Sequence, residues 1–163
     1  MKHIIYMIFF FSLFGFSQES KPKKILDSDL LKEIQLICNR DQLLRGSLLT
    51  ENKDLLTKEE RKILWKVQND IDDYNTKRFI QIVKEHGFVD SSNSNIKSAA
   101  TYAIFMHSAE KYWEEIRVLI DEEKKKGNMS ESAHGIITWH IKGRPEPTIN
   151  YLPNKENDSL NKQ

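Results

Sequence analysis

The run TKEERKILWKVQNDIDDYNTKRFIQIVKEHG, residues 57–87, decides the fold class. Thr57 followed three residues later by Glu60 is a capping box, in which the hydroxyl accepts from a first-turn amide and the carboxylate reaches back. No Gly or Pro interrupts the run until Gly87, a residue suited to stopping a helix. Leu64, Val67, Ile71, Phe79 and Ile82 recur at helical spacing and are expected to face inward. A helix this long needs neighbours to cover its apolar face, and the flanking sequence offers more helices rather than strands.

Upstream, Asp27 or Ser28 can cap a helix running to about Leu49, with Leu30, Ile34, Ile37, Leu44 and Leu48 on one face. Thr50 to Asp54 reads as a loop. Downstream, the Ser/Asn-rich stretch Asp90 to Asn95 leads to a third helix, Ile96 to about His107, with a small-residue face at Ala99, Ala100 and Ala103. A fourth, about Ala109 to Lys126, carries Tyr112, Ile116, Leu119 and Ile120 as a stripe. Its terminal lysines suit the helix dipole, and Gly127 follows. A shorter fifth helix spans Ser130 to about Ile141 and ends at Gly143. The expectation is an all-α fold, a single irregular bundle of about five helices over residues 27–152, with Pro145, Pro147 and Pro153 leading into an extended, disordered tail at 153–163.

The first residues read as an address. Lys2 and His3 precede an apolar run, Ile4 to Phe16, and Gly15-Phe16-Ser17 places small residues where a signal peptidase reads. Residues 1–17 are therefore expected to be a cleaved signal peptide and 18–26 a spacer. An uncleaved anchor is the alternative, but the run falls short of the roughly 20 residues that span a bilayer. The expected location is exported, periplasmic or secreted, with no stable membrane insertion after cleavage. There are 25 Lys and Arg against 24 Asp and Glu, and losing Lys2 with the leader makes the counts equal. That balance gives no support to a nucleic-acid binder. The lone Cys38 can form no internal disulfide and reads as a buried thiol.

The sequence departs from a plain apolar bundle at a few polar positions. At 100° per residue Asp41 falls between Ile37 and Leu44 on the first helix, with Arg45 one turn on, at ion-pair spacing. Asn75 shares the face of Leu64, Ile71 and Ile82, with Asp72 one turn before it and Arg78 at the border. His107 continues the line of Ile96, Ala100 and Ala103, with Glu110 one turn away to orient its ring. His140 sits among Ala133, Ile136 and Ile137. Buried polar groups cost free energy unless paired, so several on inward faces imply a structural network or a site.

These positions also carry a resemblance. Asp41-Gln42 with Arg45, Asp72-x-x-Asn75 with Phe79 and Ile82, Gly87-Phe88, and an Ala-rich helix ending in His107 are similar to a bacterial family known only as a domain of unknown function. That family has an Asp-Gln-x-x-Arg helix, an Asp-x-x-Asn helix, a Gly-aromatic turn and a Gln-His motif. The likeness spans about Leu30 to Tyr151 and rests on order and spacing. Met106 stands where the family has Gln before its histidine. Thr138-Trp139-His140 stands where it has an Asp-Arg pair, and its Gln-x-Tyr-Gly-Thr segment is missing before Tyr151. The resemblance implies no activity.

Two functional expectations follow. The first is a binding or interaction module of the cell envelope, with an unidentified small molecule or envelope protein as partner. The second is a hydrolase-type enzyme with His107 as general base, oriented by Asp41 or Glu110. There Asn75 positions substrate, and Arg45, Asp72 and Arg78 are candidate binding residues. No Gly-x-Ser-x-Gly elbow or Gly-rich phosphate loop is present. Glu131-x-x-His134 has the spacing of one half of a di-iron site, but such sites need the motif on two helices. No cofactor or metal is expected.

Overall fold

The computed structural model describes residues 23–49, 54–96 and 100–145. The leader, most of the spacer, Ala99, Tyr151 and the tail lie outside them. The chain is an irregular all-α bundle, and the described residues hold one isolated bridge and no strand.

Helix α1, Ser28–Gln42, starts where the Asp27 carboxylate accepts from the amides of Asp29 and Leu30. Leu30, Ile34, Ile37 and Asp41 form its buried line. The helix stops there, and a short helix α2, Arg45–Leu49, sets off after a turn at Leu43 and Leu44. This corrects the expectation of one helix reaching Leu49. The reason lies in α3, Lys58–His86. Its fully buried Gln68 accepts from the Leu44 amide at 3.2 Å and donates to the Asp41 carbonyl at 3.1 Å. One side-chain amide thus supplies hydrogen bonds that a continuing helix would have made itself.

The capping box of α3 is present as expected, with Glu60 N donating to Thr57 Oγ1 and Thr57 N donating to Glu60 Oε2. Its inward line differs from the expected one. Gln68, Asp72, Asn75, Thr76, Phe79, Ile80, Ile82 and Val83 are buried, whereas Leu64 and Ile71 are half-buried and Val67 is exposed. The first half of α3 therefore turns a polar line to the interior, because what it meets there is α1's end and α2.

Gly87 ends α3 with φ +75°, a conformation that disfavours any side chain. A Cβ there would also lie 2.9 Å from Glu123 Oε2, which accepts from the Phe88 amide at 2.9 Å. Asp90 and Asn93 then organise a tight loop through their own side chains. The entering chain is stitched to this loop by a parallel bridge, Lys24 to Ser94, with Lys24 N donating to Asn93 O at 2.8 Å.

The third expected helix is much shorter than 96–107. Ile96 is buried in the core ahead of any helix, Thr101 Oγ1 donates to Val89 O at 2.8 Å, and helix α4 is only Tyr102–Met106. A single 3₁₀ turn, Glu110–Tyr112, leads into α5, Trp113–Lys125, and α6, Glu131–Ile141, is capped by Ser130. Phe79, Phe88 and Phe105 meet at the centre with ring centroids 5.1 to 6.4 Å apart. Helix α1 packs on α3, and α6 packs on both α4 and α5.

Thr76, fully buried on α3, has a hydroxyl with no hydrogen-bond partner among the described residues. Thr76→Val removes that unpaired group with little change of shape. It is expected to raise the unfolding free energy by about 1 kcal/mol. Urea denaturation checks this, and a loss of stability would show that the hydroxyl is satisfied in solution.

Candidate functional site

The end of α1 carries Asp41 into the interior, with only 2 % of the residue exposed. Its carboxylate meets His107, the residue closing α4, with Nδ1 2.8 Å from Oδ1 and 2.9 Å from Oδ2. In the neutral ring this bond places the proton on Nδ1 and makes Nε2 the acceptor. No partner for Nε2 occurs among the described residues, and the His107 side chain retains 22 % of its exposure. Gln42 also donates to Asp41 Oδ2, at 2.5 Å. The histidine's orienting carboxylate is therefore Asp41; Glu110, the other candidate, is exposed.

Arg45 does not take Asp41 as its main partner either. Its Nη2 lies 2.6 Å from Asp72 Oδ2 on α3, while Nε donates to the Asp41 carbonyl at 3.0 Å and stays 3.9 Å from the Asp41 carboxylate. Asp72 is completed by Gln68 Nε2 at 2.8 Å from Oδ1. Burial pushes the Asp72 carboxyl above its ordinary range, with the Gln68 and Arg45 hydrogen bonds opposing. The result is a buried chain, Gln68–Asp72–Arg45, lying against the backbone of Asp41, whose side chain holds His107.

Asn75 is fully buried, and its Nδ2 donates to Ile37 O at 3.3 Å. Its Oδ1 has no partner among the described residues. With no exposed surface, Asn75 is not placed to contact a substrate. Arg78 lies outside this centre, in a paired fork with Glu33 at 2.6 and 2.8 Å. So the structure brings Asp41, Arg45, Asp72 and His107 together, sets Asn75 one turn away against α1, and separates Arg78.

A cavity of about 200 Å³ adjoins Asp41, lined also by Gln35, Cys38, Asn39 and Gln42 from α1 and by Ala103 and Ile104 from α4. Burial, with the Asp41 charge adding, pushes the Cys38 thiol up to about 11. It stays protonated and is a poor nucleophile at neutral pH.

Two residues here were not singled out by sequence as members of the centre. Gln68 was hidden by its polarity in a helix assumed to turn apolar residues inward. Its signal is the 68, 72, 75 spacing, which puts it on one face with Asp72 and Asn75. Arg144 carries no such signal in the sequence. It has φ +54°, its Nε donates to His140 Nδ1 at 3.0 Å, and its Nη2 donates to Met106 O at 3.2 Å, beside His107. His140, buried at 7 % exposure, stacks edge-on to Trp113 with centroids 5.3 Å apart. Burial lowers its pKa below the ordinary 6.5, the hydrogen bond to the Ser108 carbonyl opposing and the Arg144 guanidinium adding to the lowering. Glu131 and His134 are engaged across the bundle by Lys124 and Asp121, each at 2.7 Å.

Comparisons with protein-family models, with curated proteins and with solved structures give no match for this chain.

Breaking the buried pair by Arg45→Met leaves Asp72 uncompensated and is expected to cost about 3 kcal/mol of stability. Adding Asp72→Leu to the same protein is expected to recover most of it, measured by urea denaturation. For His140, the unfolded chain takes up a proton near pH 6.5 while the folded one resists until a lower pH. Its contribution is complete above pH 6.5 and is lost as pH falls through the window below that value. His140→Gln is expected to flatten the fall in Tm between pH 7.5 and 5.5, and an unchanged slope would remove His140 as its source.

Proposed function

We propose that this chain is an exported binding domain of the cell envelope whose polar centre is mainly structural and whose ligand-facing group is His107. One observation carries the reading. Gln68, Asp72, Arg45 and Asn75 direct hydrogen bonds to one another or to backbone and are buried or nearly so, whereas His107 pairs inward with Asp41 through Nδ1, keeps 22 % of its side chain exposed, and has no partner for Nε2 among the described residues. A fixed imidazole suits a small polar molecule or a partner's side chain bearing a hydroxyl or acidic proton. Export is supported by the leader-like residues 1–17.

The test is a thermal-shift screen of small metabolites against the native protein and His107→Ala. A compound that raises Tm by several degrees only in the native protein is the expected result. Equal shifts in both proteins, or none in either, would count against the reading.

A second reading is favoured by the same 2.8 Å Asp41–His107 bond. A carboxylate-oriented imidazole with a free Nε2 is competent to take a proton from water, and this geometry meets the first need of a hydrolase-type general base. No nucleophilic side chain is assigned, and the protonated Cys38 is a poor candidate. Water attack on the carbonyl of an activated aryl ester would be the simplest probe. Turnover by the native protein that Asp41→Asn lowers and His107→Ala abolishes, with both variants folded, would favour this reading over simple binding.

A further inference from the structure

Helix α3 has a second face that the bundle leaves uncovered. Ile63, Val67 and Tyr74 are 62 %, 44 % and 59 % exposed, and half-buried Ile71 completes the line. At 100° per residue these four lie within an arc of about 80°. Exposed Leu36 on α1 and Leu43 just after it border the same side, joined to α3 by Arg40, whose guanidinium lies 5.9 Å from the Tyr74 ring. Between the two helices runs an open groove of about 430 Å³, with Arg40, Val67, Asp70, Ile71 and Tyr74 along it. Scattered exposed apolar residues need no explanation, but a continuous stripe across two helices does.

The charges beside the stripe identify an occupant. Glu59, Lys66, Asp70 and Lys77 are all exposed, and all four fall on one flank of α3, about 80° round from the stripe's centre. The opposite flank, with Gln68 and Asn75, is buried against α1 and α2. When two copies of a helix pack antiparallel about a twofold axis, each flank faces the same flank of the other copy, reversed. A twofold beside position 68 sets Lys66 opposite Asp70 and Glu59 opposite Lys77, in both directions. All four contacts are then between opposite charges. Within the stripe, Val67 meets its own copy and Ile63 meets Tyr74 of the second copy. A parallel pairing would instead need the flank that is already buried.

We infer that this chain forms an antiparallel homodimer through the exposed Ile63–Val67–Ile71–Tyr74 stripe of α3, with Lys66–Asp70 and Glu59–Lys77 pairs closing its rim. The apolar stripe supplies the affinity, and the charge order selects the direction. Lys77 also pairs with Asp73 within its own helix, at 3.1 Å, so the Lys66–Asp70 contact is the cleaner reporter. The interface leaves His107 outside the proposed contact.

The test is sedimentation equilibrium of the protein purified from expression of the full chain, with circular dichroism on every variant. The native protein is expected to dimerise, and V67E to be a folded monomer. K66D and D70K each convert two attractive contacts into repulsive ones, and each is expected to weaken the dimer about tenfold at low salt. The double variant K66D/D70K restores opposite charges and is expected to return to within about threefold of native. A native monomer at sub-millimolar concentration overturns the proposal, as does a dimer that survives V67E. A double variant no tighter than either single one overturns the antiparallel register. Cosedimentation of a monomeric native protein with phosphatidylcholine–phosphatidylglycerol vesicles, lost in V67E, would assign the stripe to a membrane surface instead.

Discussion

Gln68 holds the molecule's shape at the point where α1 would otherwise run on. Its side-chain amide gives a donor to the Asp41 carbonyl and to Asp72, and an acceptor to the Leu44 amide. Losing the amide would leave the Leu44 N–H unpaired in a low-dielectric interior, and would leave the Asp41 carbonyl and Asp72 with Arg45 as partner. Because α1 stops there, Arg45 swings onto Asp72 and the Asp41 side chain is released toward α4. His107 then finds its carboxylate. The orientation of the largely buried imidazole thus depends on an interaction in which it takes no part.

Most of the architecture was legible in the sequence because its signals were local. Asp27, Thr57 with Glu60, and Ser130 cap the helices they were expected to cap or precede. Gly87 stops α3 for the expected reason. The errors arose where long-range bonding overrode local pattern. Apolar periodicity put Val67 inside, but the partners of α3's first half are a backbone carbonyl, an amide and a guanidinium, so its polar line is the buried one. Among the described residues the expected Ile96–His107 helix is reduced to Tyr102–Met106, preceded by the Thr101 anchor on Val89.

The candidate centre was legible as a set of positions and not as a set of bonds. Asp41, Asn75 and His107 stood out because each interrupts an apolar face. Arg45 was matched to Asp41 as a neighbour one turn away, and His107 was left with two possible carboxylates, Asp41 or Glu110. The structure pairs Asp41 with His107 across 66 positions and Arg45 with Asp72 across 27. No periodicity encodes those contacts. Arg144 was invisible for a related reason, since its role depends on a left-handed turn after Gly143 that folds it back over α4 and α6.

The stitching of Lys24 to the 90–96 loop has a mechanical consequence. Lys24 N bonds Asn93 O, Leu26 N bonds Asn95 Oδ1 at 3.2 Å, and the Lys23 ammonium bonds Ser91 O at 3.1 Å. A pull applied upstream of Lys23 therefore does not peel α1 away turn by turn. It loads several bonds at once, and passes the force to a loop clamped by Asn93 and Glu123 onto the start of the next helical layer. The entering segment acts as a strain relief, keeping tension on the chain from reaching the Asp41 end of α1.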